Sequence, residues 1–322
     1  MTLPQFISIM NSWGQRRVPF LFMIDFEMCD PRLYKIEDVA SDKILYFING
    51  ITNTGERMDT SNTFIKAIKT PFSDYEQKFN KVRQHLEYGD TFLTNLTIST
   101  EVVLEHSLRE IFLQSDAKYK LLFEDRFLVF SPETFVRIIE GKIYSYPMKG
   151  TIDASIPGAR EKILEDKKEL AEHVTIVDLI RNDLSQVASN VTVNRFRYVE
   201  EVRTRAKNLF QVSSEICGDL EGEYWSSIGD ILVKLLPAGS VTGAPKPKTV
   251  QIIKDVEGEP RGFYTGVFGY FDGNNLDSGV MIRFIEKRES KYFYRSGGGI
   301  TTQSVVESEY EEVINKVYVP VA

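Results

Sequence analysis

Residues Lys120–Tyr146 read KLLFEDRFLVFSPETFVRIIEGKIYSY. Apolar and aromatic runs (KLLFED, FLVFSPETFVRIIEG, KIYSY) meet at Glu124-Asp125 and Glu140-Gly141, pairs suited to tight reversals, so this block predicts strands joined by hairpins. Around it, strands and helices come in clusters instead of alternating one by one. That pattern favours an α+β fold over a doubly wound parallel sheet.

Working outward, TFLTNLTISTEVV (Thr91 to Val103) is β-branched and predicts another strand. Ahead of it, Phe72, Tyr75, Phe79, Val82 and Leu86 recur every three or four residues up to Gly89, which predicts a helix. Earlier still, short strands are expected over Phe20 to Phe26 and Ile44 to Ile48. The apolar run VPFLFMI (Val18 to Ile24) is far shorter than the roughly 20 residues that span a bilayer and reads as a buried strand. On the C-terminal side a single long helix is expected from Ala159 to Leu184. Strands follow over Val191 to Val202 and Leu209 to Ile216, then helices over Tyr224 to Leu236 and Lys248 to Val256. Strands over Gly266 to Phe271, Ser278 to Glu286 and Lys291 to Arg295 lead to a final helix capped by Ser308. No repeat or linker intervenes. The chain reads as one domain, with residues 1–73 a strand-rich N-terminal part of the unit that continues through 74–318.

Composition narrows the function. The 322 residues hold 39 Lys plus Arg against 46 Asp plus Glu, a net charge of −7. No basic stripe stands out, which argues against a nucleic-acid surface. The N-terminus has neither the charged start nor the apolar stretch of a secretory signal. Cys29 and Cys217 form no CxxC motif, so a reducing cytoplasm is the expected compartment. With three histidines (His85, His106, His173), any metal must be held mostly by oxygen.

Several local patterns could carry chemistry. Glu169 with Glu172, and Glu309 with Glu312, stand at i and i+3 on expected helices, so each pair shares a face. Two such faces meeting would suit Mg²⁺; singly, such pairs are very common on solvated helices, which is the stronger reading for either pair alone. His173 reads as a satisfied helix or core residue. Lys149, in the turn PMKGT, is either a rigidly held nucleophile or base whose pKa burial would lower, or a surface lysine. Glu133 lies 16 residues earlier, where a hairpin could bring it close as a general acid. PAGSVTGAPK (Pro237 to Lys246) is not a Walker loop, because Ala244-Pro245 interrupt the required Gly-Lys-Ser/Thr, yet its backbone, like Gly297-Gly298-Gly299, could present amides to a carboxylate. Arg283, inside GVMIRF, either faces solvent or clamps a carboxylate.

In order, SPET, PMKGT, AEHVTIVDLIRND, PAGSVTGAPK, FYTGVFGYF, MIRF, GGGI and EYEEVINK resemble the chorismate-utilising enzymes over roughly residues 74 to 318. That family includes component I of anthranilate synthase and of aminodeoxychorismate synthase, with isochorismate and salicylate synthases. The resemblance implies an anthranilate-synthase-like fold, a sandwich of large, mostly antiparallel sheets with helices packed outside. It implies Mg²⁺ held by Glu172 and Glu312, with Glu169 and Glu309 beside them. Arg283, Tyr264, Lys316 and the Gly298-Gly299 backbone match contacts to the enolpyruvyl carboxylate, and Thr242 and Gly243 lie in the substrate loop. Pro147-Met148-Lys149-Gly150-Thr151 is similar to the aminodeoxychorismate branch, where the lysine attacks the ring and the glutamate matched by Glu133 assists the leaving hydroxyl. That branch implies chorismate and ammonia as substrates, nitrogen supplied by a glutamine amidotransferase, and a role in 4-aminobenzoate and folate synthesis. Leu93-Thr94-Asn95-Leu96 lacks the lysine with which isochorismate-type members activate water. Gln211 replaces a histidine common in the family and could still bond a substrate hydroxyl. Component I of anthranilate synthase and a non-catalytic chorismate-binding subunit are the alternatives.

Overall fold

Alternate side chains of the strand Phe20–Ile24 enter two different cores: Phe20, Phe22 and Ile24 pack on one side, Leu21 and Met23 on the other. This is the period-two geometry of a strand covered on both faces, and it marks the middle layer of the protein. The computed structural model describes residues 1–320 apart from 57, 59–64, 69 and 204–207; the side chains of 168, 202 and 203 are likewise not described.

Two nine-stranded sheets, antiparallel throughout their pairings, stack on each other. The first runs, edge to edge, Met148–Asp153, Asn208–Asp219, Lys142–Ser145, Thr134–Ile139, Leu276–Val280, Val267–Phe271, Phe20–Ile24 and Arg32–Lys35, with Ser189–Arg203 also pairing to Asn208–Asp219. The second runs Gly243–Ala244, Leu93–Leu104, Lys291–Ile300, Phe284–Arg288, Phe127–Ser131, Tyr119–Phe123, Ile44–Ile48 and Ile51–Thr52, with Ile65–Ala67 beside Leu93–Leu104. Leu21, Met23, Tyr119, Leu121, Phe127, Val129 and Phe268 fill the space between them. Helices Leu3–Gln15, Lys167–Leu184 and Ile228–Leu235 cover the outer face of the first sheet. Helices Phe72–Tyr88, Lys246–Glu257 and Val306–Asn315 cover one end of the second, and Leu108–Gln114 covers the rest. The α+β sandwich with helices outside is the expected architecture.

The chain crosses between sheets twice in a way that matters. Phe127–Ser131 belongs to the second sheet and Thr134–Ile139 to the first, so SPET is a crossover. MIRF is the other: Leu276–Val280 lies in the first sheet, Phe284–Arg288 in the second, and Arg283 at the junction has a positive φ of 53°. Backbone bonds tie the crossovers together, Val280 N–H to the Glu133 carbonyl (3.1 Å) and Phe130 N–H to the Arg283 carbonyl (3.1 Å). Corners where strands change sheets leave a gap in the packing, and this one faces a cavity.

Some expected elements are corrected. The long helix breaks at Asp166, whose side chain accepts from Glu169 N–H and caps the second piece, leaving Ala159–Glu165 and Lys167–Leu184. The single strand over Ser278 to Glu286 is two strands divided by the crossover. The last helix starts at Val306, capped by no side chain, and Ser308 lies inside it. Helices Leu3–Gln15 and Leu108–Gln114 were not expected, although Thr2 with Gln5 and Ser107 with Glu110 form capping boxes that announce them.

Candidate active site

A cavity of about 200 Å³ opens at the crossover corner and is lined by both sheets, the Lys167–Leu184 helix, the 238–242 loop and the end of the C-terminal helix. It gathers Lys149, Glu133, Glu172, Thr242, Tyr264, Arg283, Gly298, Gly299, Glu312 and Lys316. Residues far apart in sequence are thus brought around one cavity. Gly243 does not line it; it sits behind, where a Cβ would come within 1.8 Å of the Leu93 carbonyl, so only glycine lets this loop pair with Leu93–Leu104.

Lys149 projects from the edge strand Met148–Asp153, and its Nζ lies 2.8 Å from Glu172 Oε2. Burial disfavours the charge, but Glu172, then Glu312 and Glu169, outweigh it and hold the ammonium above the ordinary lysine value. The expectation that burial would lower this pKa is corrected: the surrounding carboxylates win. The next residue, Gly150, has φ of 85°, and a Cβ there would stand 2.9 Å from Glu169 Oε2, so the helix carboxylate lies directly against the lysine's own turn.

Helices Lys167–Leu184 and Val306–Asn315 bring the two glutamate pairs to the same region. A Cβ on Gly298 would lie 3.6 Å from Glu309 Oε2 and 3.8 Å from Glu312 Oε1. Lys316 Nζ bonds Glu312 Oε1 at 2.7 Å and the Gly297 carbonyl at 2.8 Å. Among the described residues no three acidic, histidine or cysteine ligands already converge on one point. The donor chemistry nevertheless fits a hard divalent cation that keeps waters or borrows substrate oxygens, and two lysine ammoniums already rest on these carboxylates.

Across the cavity, Glu133 accepts a hydrogen bond at Oε1 from the Ser240 hydroxyl. Burial pushes its carboxyl pKa up, against the opposing effects of Ser240 and of the Lys316 charge. A carboxyl that resists ionisation is suited to give a proton. Arg283 donates to the Lys316 carbonyl (3.0 Å), and its guanidinium stacks 4.7 Å over the Tyr318 ring, so it faces the cavity and not open solvent. The Thr242 hydroxyl is spent on the Ala238 and Gly239 carbonyls, which makes it a brace of the loop. Tyr264 is buried, its phenol pushed up to about 12 by burial.

Gln211 does not line the cavity; its amide bonds Met148 Sδ at 3.2 Å, so the suggestion that it serves a substrate hydroxyl is corrected. His173, one residue beyond Glu172, is buried behind Lys149, its Nε2 2.7 Å from Ser214 Oγ. Burial, then the Arg197 charge, hold its pKa down at about 4, so it is neutral near pH 7.

Sequence reasoning missed five contributors. Ser240 is one. Arg295, only 2% exposed, lines the cavity and pairs with Glu286 at 3.2 Å; its place just before the glycine triplet was the available signal. Arg261, 1% exposed, forks onto both Glu257 oxygens and donates to the Val241 and Asn95 carbonyls, clamping the 238–242 loop to the second sheet. Asp183 and Lys246, 2.7 Å apart, tie the other end of that loop to the helix.

Residues 34–322 match the family described as chorismate binding enzyme. An uncharacterised PabA-like protein of Pasteurella multocida is 48% identical over the full length of both chains. Aminodeoxychorismate synthase component 1 of Bacillus subtilis is 29% identical over 91% of this chain and 63% of that protein. Anthranilate synthase component I of Streptococcus pneumoniae superposes with a TM-score of 0.67 at 28% identity, covering 81% of this chain and 60% of that one.

Proposed function

This chain belongs to the chorismate binding enzymes, and from that premise we propose that it aminates chorismate at ring position 4, giving 4-amino-4-deoxychorismate through a covalent intermediate on Lys149. The observation that carries the reading is the placement of one amine, Lys149, and one ionisation-resistant acid, Glu133, on the walls of a single cavity. The relative named aminodeoxychorismate synthase supports the same reaction.

The Lys149 ammonium first loses one proton to solvent, and the nitrogen pair of the free amine then forms a bond to ring carbon 2. The two ring double bonds each move one place, the C4–O bond breaks, and the Glu133 proton goes to the departing oxygen, which leaves as water. Ammonia then forms a bond to carbon 4, the double bonds return, and Lys149 departs with its electron pair. The surplus proton on the new amine returns to Glu133. The sum is chorismate plus ammonia to the 4-amino product plus water, with two allylic displacements replacing one difficult substitution.

Arg283, Lys316 and the Gly298-Gly299 backbone supply the receptor for one substrate carboxylate. Glu172 and Glu312, backed by Glu169 and Glu309, would hold Mg²⁺, which supplies positive charge to the other carboxylate when bound. Leu93, on the wall where isochorismate-type members carry a lysine, offers no base for water. The nitrogen donor in this reading is a glutamine amidotransferase, a partner in keeping with the PabA-like name of the Pasteurella multocida relative.

Incubation with chorismate and Mg²⁺, ammonium omitted, tests the reading by intact mass. The expected result is a protein adduct of chorismate less water that disappears in Lys149→Ala. Turnover without an adduct, or an adduct undiminished in the variant, removes Lys149 from the chemistry.

A further inference from the structure

Ser240 sits mid-loop in PAGSVTGAPK, and its hydroxyl reaches Glu133 across 107 positions of sequence. The Glu133 backbone is fixed independently, its carbonyl taking Val280 N–H at 3.1 Å and its N–H bonding Ser131 Oγ at 3.1 Å. What the fold leaves open is the rotation of the carboxyl group itself. A protonated carboxyl has one oxygen bearing hydrogen and one free to accept, and without a partner either oxygen could take either role. A donor fixed on one oxygen removes that choice.

We propose that Ser240 is a positioning residue for the amination: by donating to Oε1, it places the acid proton of Glu133 on Oε2 and turns that oxygen towards the leaving hydroxyl. The inference rests on the reading of Glu133 as the acid. Ser240 can do this because its loop is anchored on both sides. The Thr242 hydroxyl bonds the Ala238 and Gly239 carbonyls at 3.0 and 3.1 Å. Lys246 holds the Leu235 carbonyl at 2.9 Å and Asp183 at 2.7 Å. A Cβ on Gly239 would lie 2.8 Å from Asp183 Oδ2, so the backbone beside Ser240 presses against that carboxylate.

The same bond serves both halves of the cycle. When the Oε2 proton passes to the departing oxygen, Glu133 becomes a carboxylate, and the Ser240 O–H then donates to a charged oxygen, a stronger bond. It holds the anion until the surplus proton of the new amine returns. Lys149, Glu172, Asp183, Arg283, Glu312 and Lys316 also face this cavity; of these, Lys316 acts on the Glu133 charge, in the same direction as Ser240.

The test follows adduct formation in the full chain across pH by quenched intact mass, with ammonium omitted, for wild type, Ser240→Ala and Ser240→Thr. Positioned proton transfer contributes about 10²–10⁴-fold, so loss of its orientation in Ser240→Ala is expected to slow adduct formation about 10–100-fold, with chorismate affinity changed less than about threefold. Because the bond favours the carboxylate, its loss also moves the alkaline limb of the rate profile to higher pH. Ser240→Thr keeps the hydroxyl and restores both. Ser240→Ala reacting at the wild-type rate with an unmoved limb overturns the inference. So does a loss of rate, affinity and melting temperature together that threonine fails to rescue, which is a purely structural role. An adduct absent from wild type overturns the amination reading and this inference with it; an adduct in wild type with an unaffected Ser240→Ala overturns this inference alone.

Discussion

Lys149 and Glu172 form an ion pair of 2.8 Å between the edge strand of one sheet and the helix that covers it, at a point where Glu169 and Glu312 add further negative charge. The lysine is therefore stored as an ammonium among acids. In the proposed reaction, substrate and cation would have to loosen that grip before the amine could react.

The first expectation concerns those acids. Glu172→Gln and Glu312→Gln each remove a proposed Mg²⁺ ligand, and each should weaken Mg²⁺ binding to the chorismate complex by at least about tenfold, the scale seen when even a ligand's supporting partner is lost. Calorimetric titration of Mg²⁺ into the complex reads this directly. Chelation should stop turnover and added Mg²⁺ restore it; turnover unaffected by chelator would contradict the assignment.

Arg283→Gln removes a guanidinium from the proposed charged pair with a substrate carboxylate, an interaction of about 1.5–3 kcal/mol. The KM for chorismate should rise about 10–100-fold, while the rate of the Lys149 adduct at saturation changes much less. Steady-state and single-turnover rates separate the two effects.

His173 is neutral in the folded protein because burial holds its pKa at about 4, against 6.5 when exposed. Between these values the unfolded chain binds the extra proton. Stability therefore falls as pH drops from 6.5 towards 4, by at most about 3 kcal/mol, taking 1.36 kcal/mol per unit. Urea unfolding at several pH values in this window should show the slope, and His173→Gln should reduce it.

Arg261 and Glu257 are both nearly fully buried and 2.7 Å apart. Arg261→Ala strands the Glu257 carboxylate and should cost about 3–5 kcal/mol, a large part of the roughly 5–15 kcal/mol of an ordinary domain. Adding Glu257→Leu should recover part of that loss, since no buried charge then remains unpaired. The measurement is the urea midpoint of the single and double variants.

The parts of this molecule legible in sequence are those with local causes. The apolar runs in KLLFED and FLVFSPETFVRIIEG, bounded by hairpin signals, marked the central strands, and the three-to-four spacing from Phe72 to Leu86 marked a helix that ends at the left-handed Gly89. The crossovers were not legible, because Arg283 is flanked on both sides by apolar residues, Val280 to Ile282 and Phe284 to Ile285, and nothing local says that the chain changes sheet there. Distant partnerships were hidden for the same reason: Ser240 meets Glu133, and Arg261 meets Asn95, only once the sheets have stacked. Motif order nonetheless singled out residues that the fold brings to one cavity.

The central claim is nitrogen addition at ring position 4. Supplying chorismate, Mg²⁺ and ¹⁵N-ammonium and locating the label in the product by nuclear magnetic resonance tests it most directly. The account expects ¹⁵N on carbon 4 of a product that retains its enolpyruvyl group. Label on carbon 2 with release of pyruvate, or an unlabelled hydroxylated isomer, would contradict it.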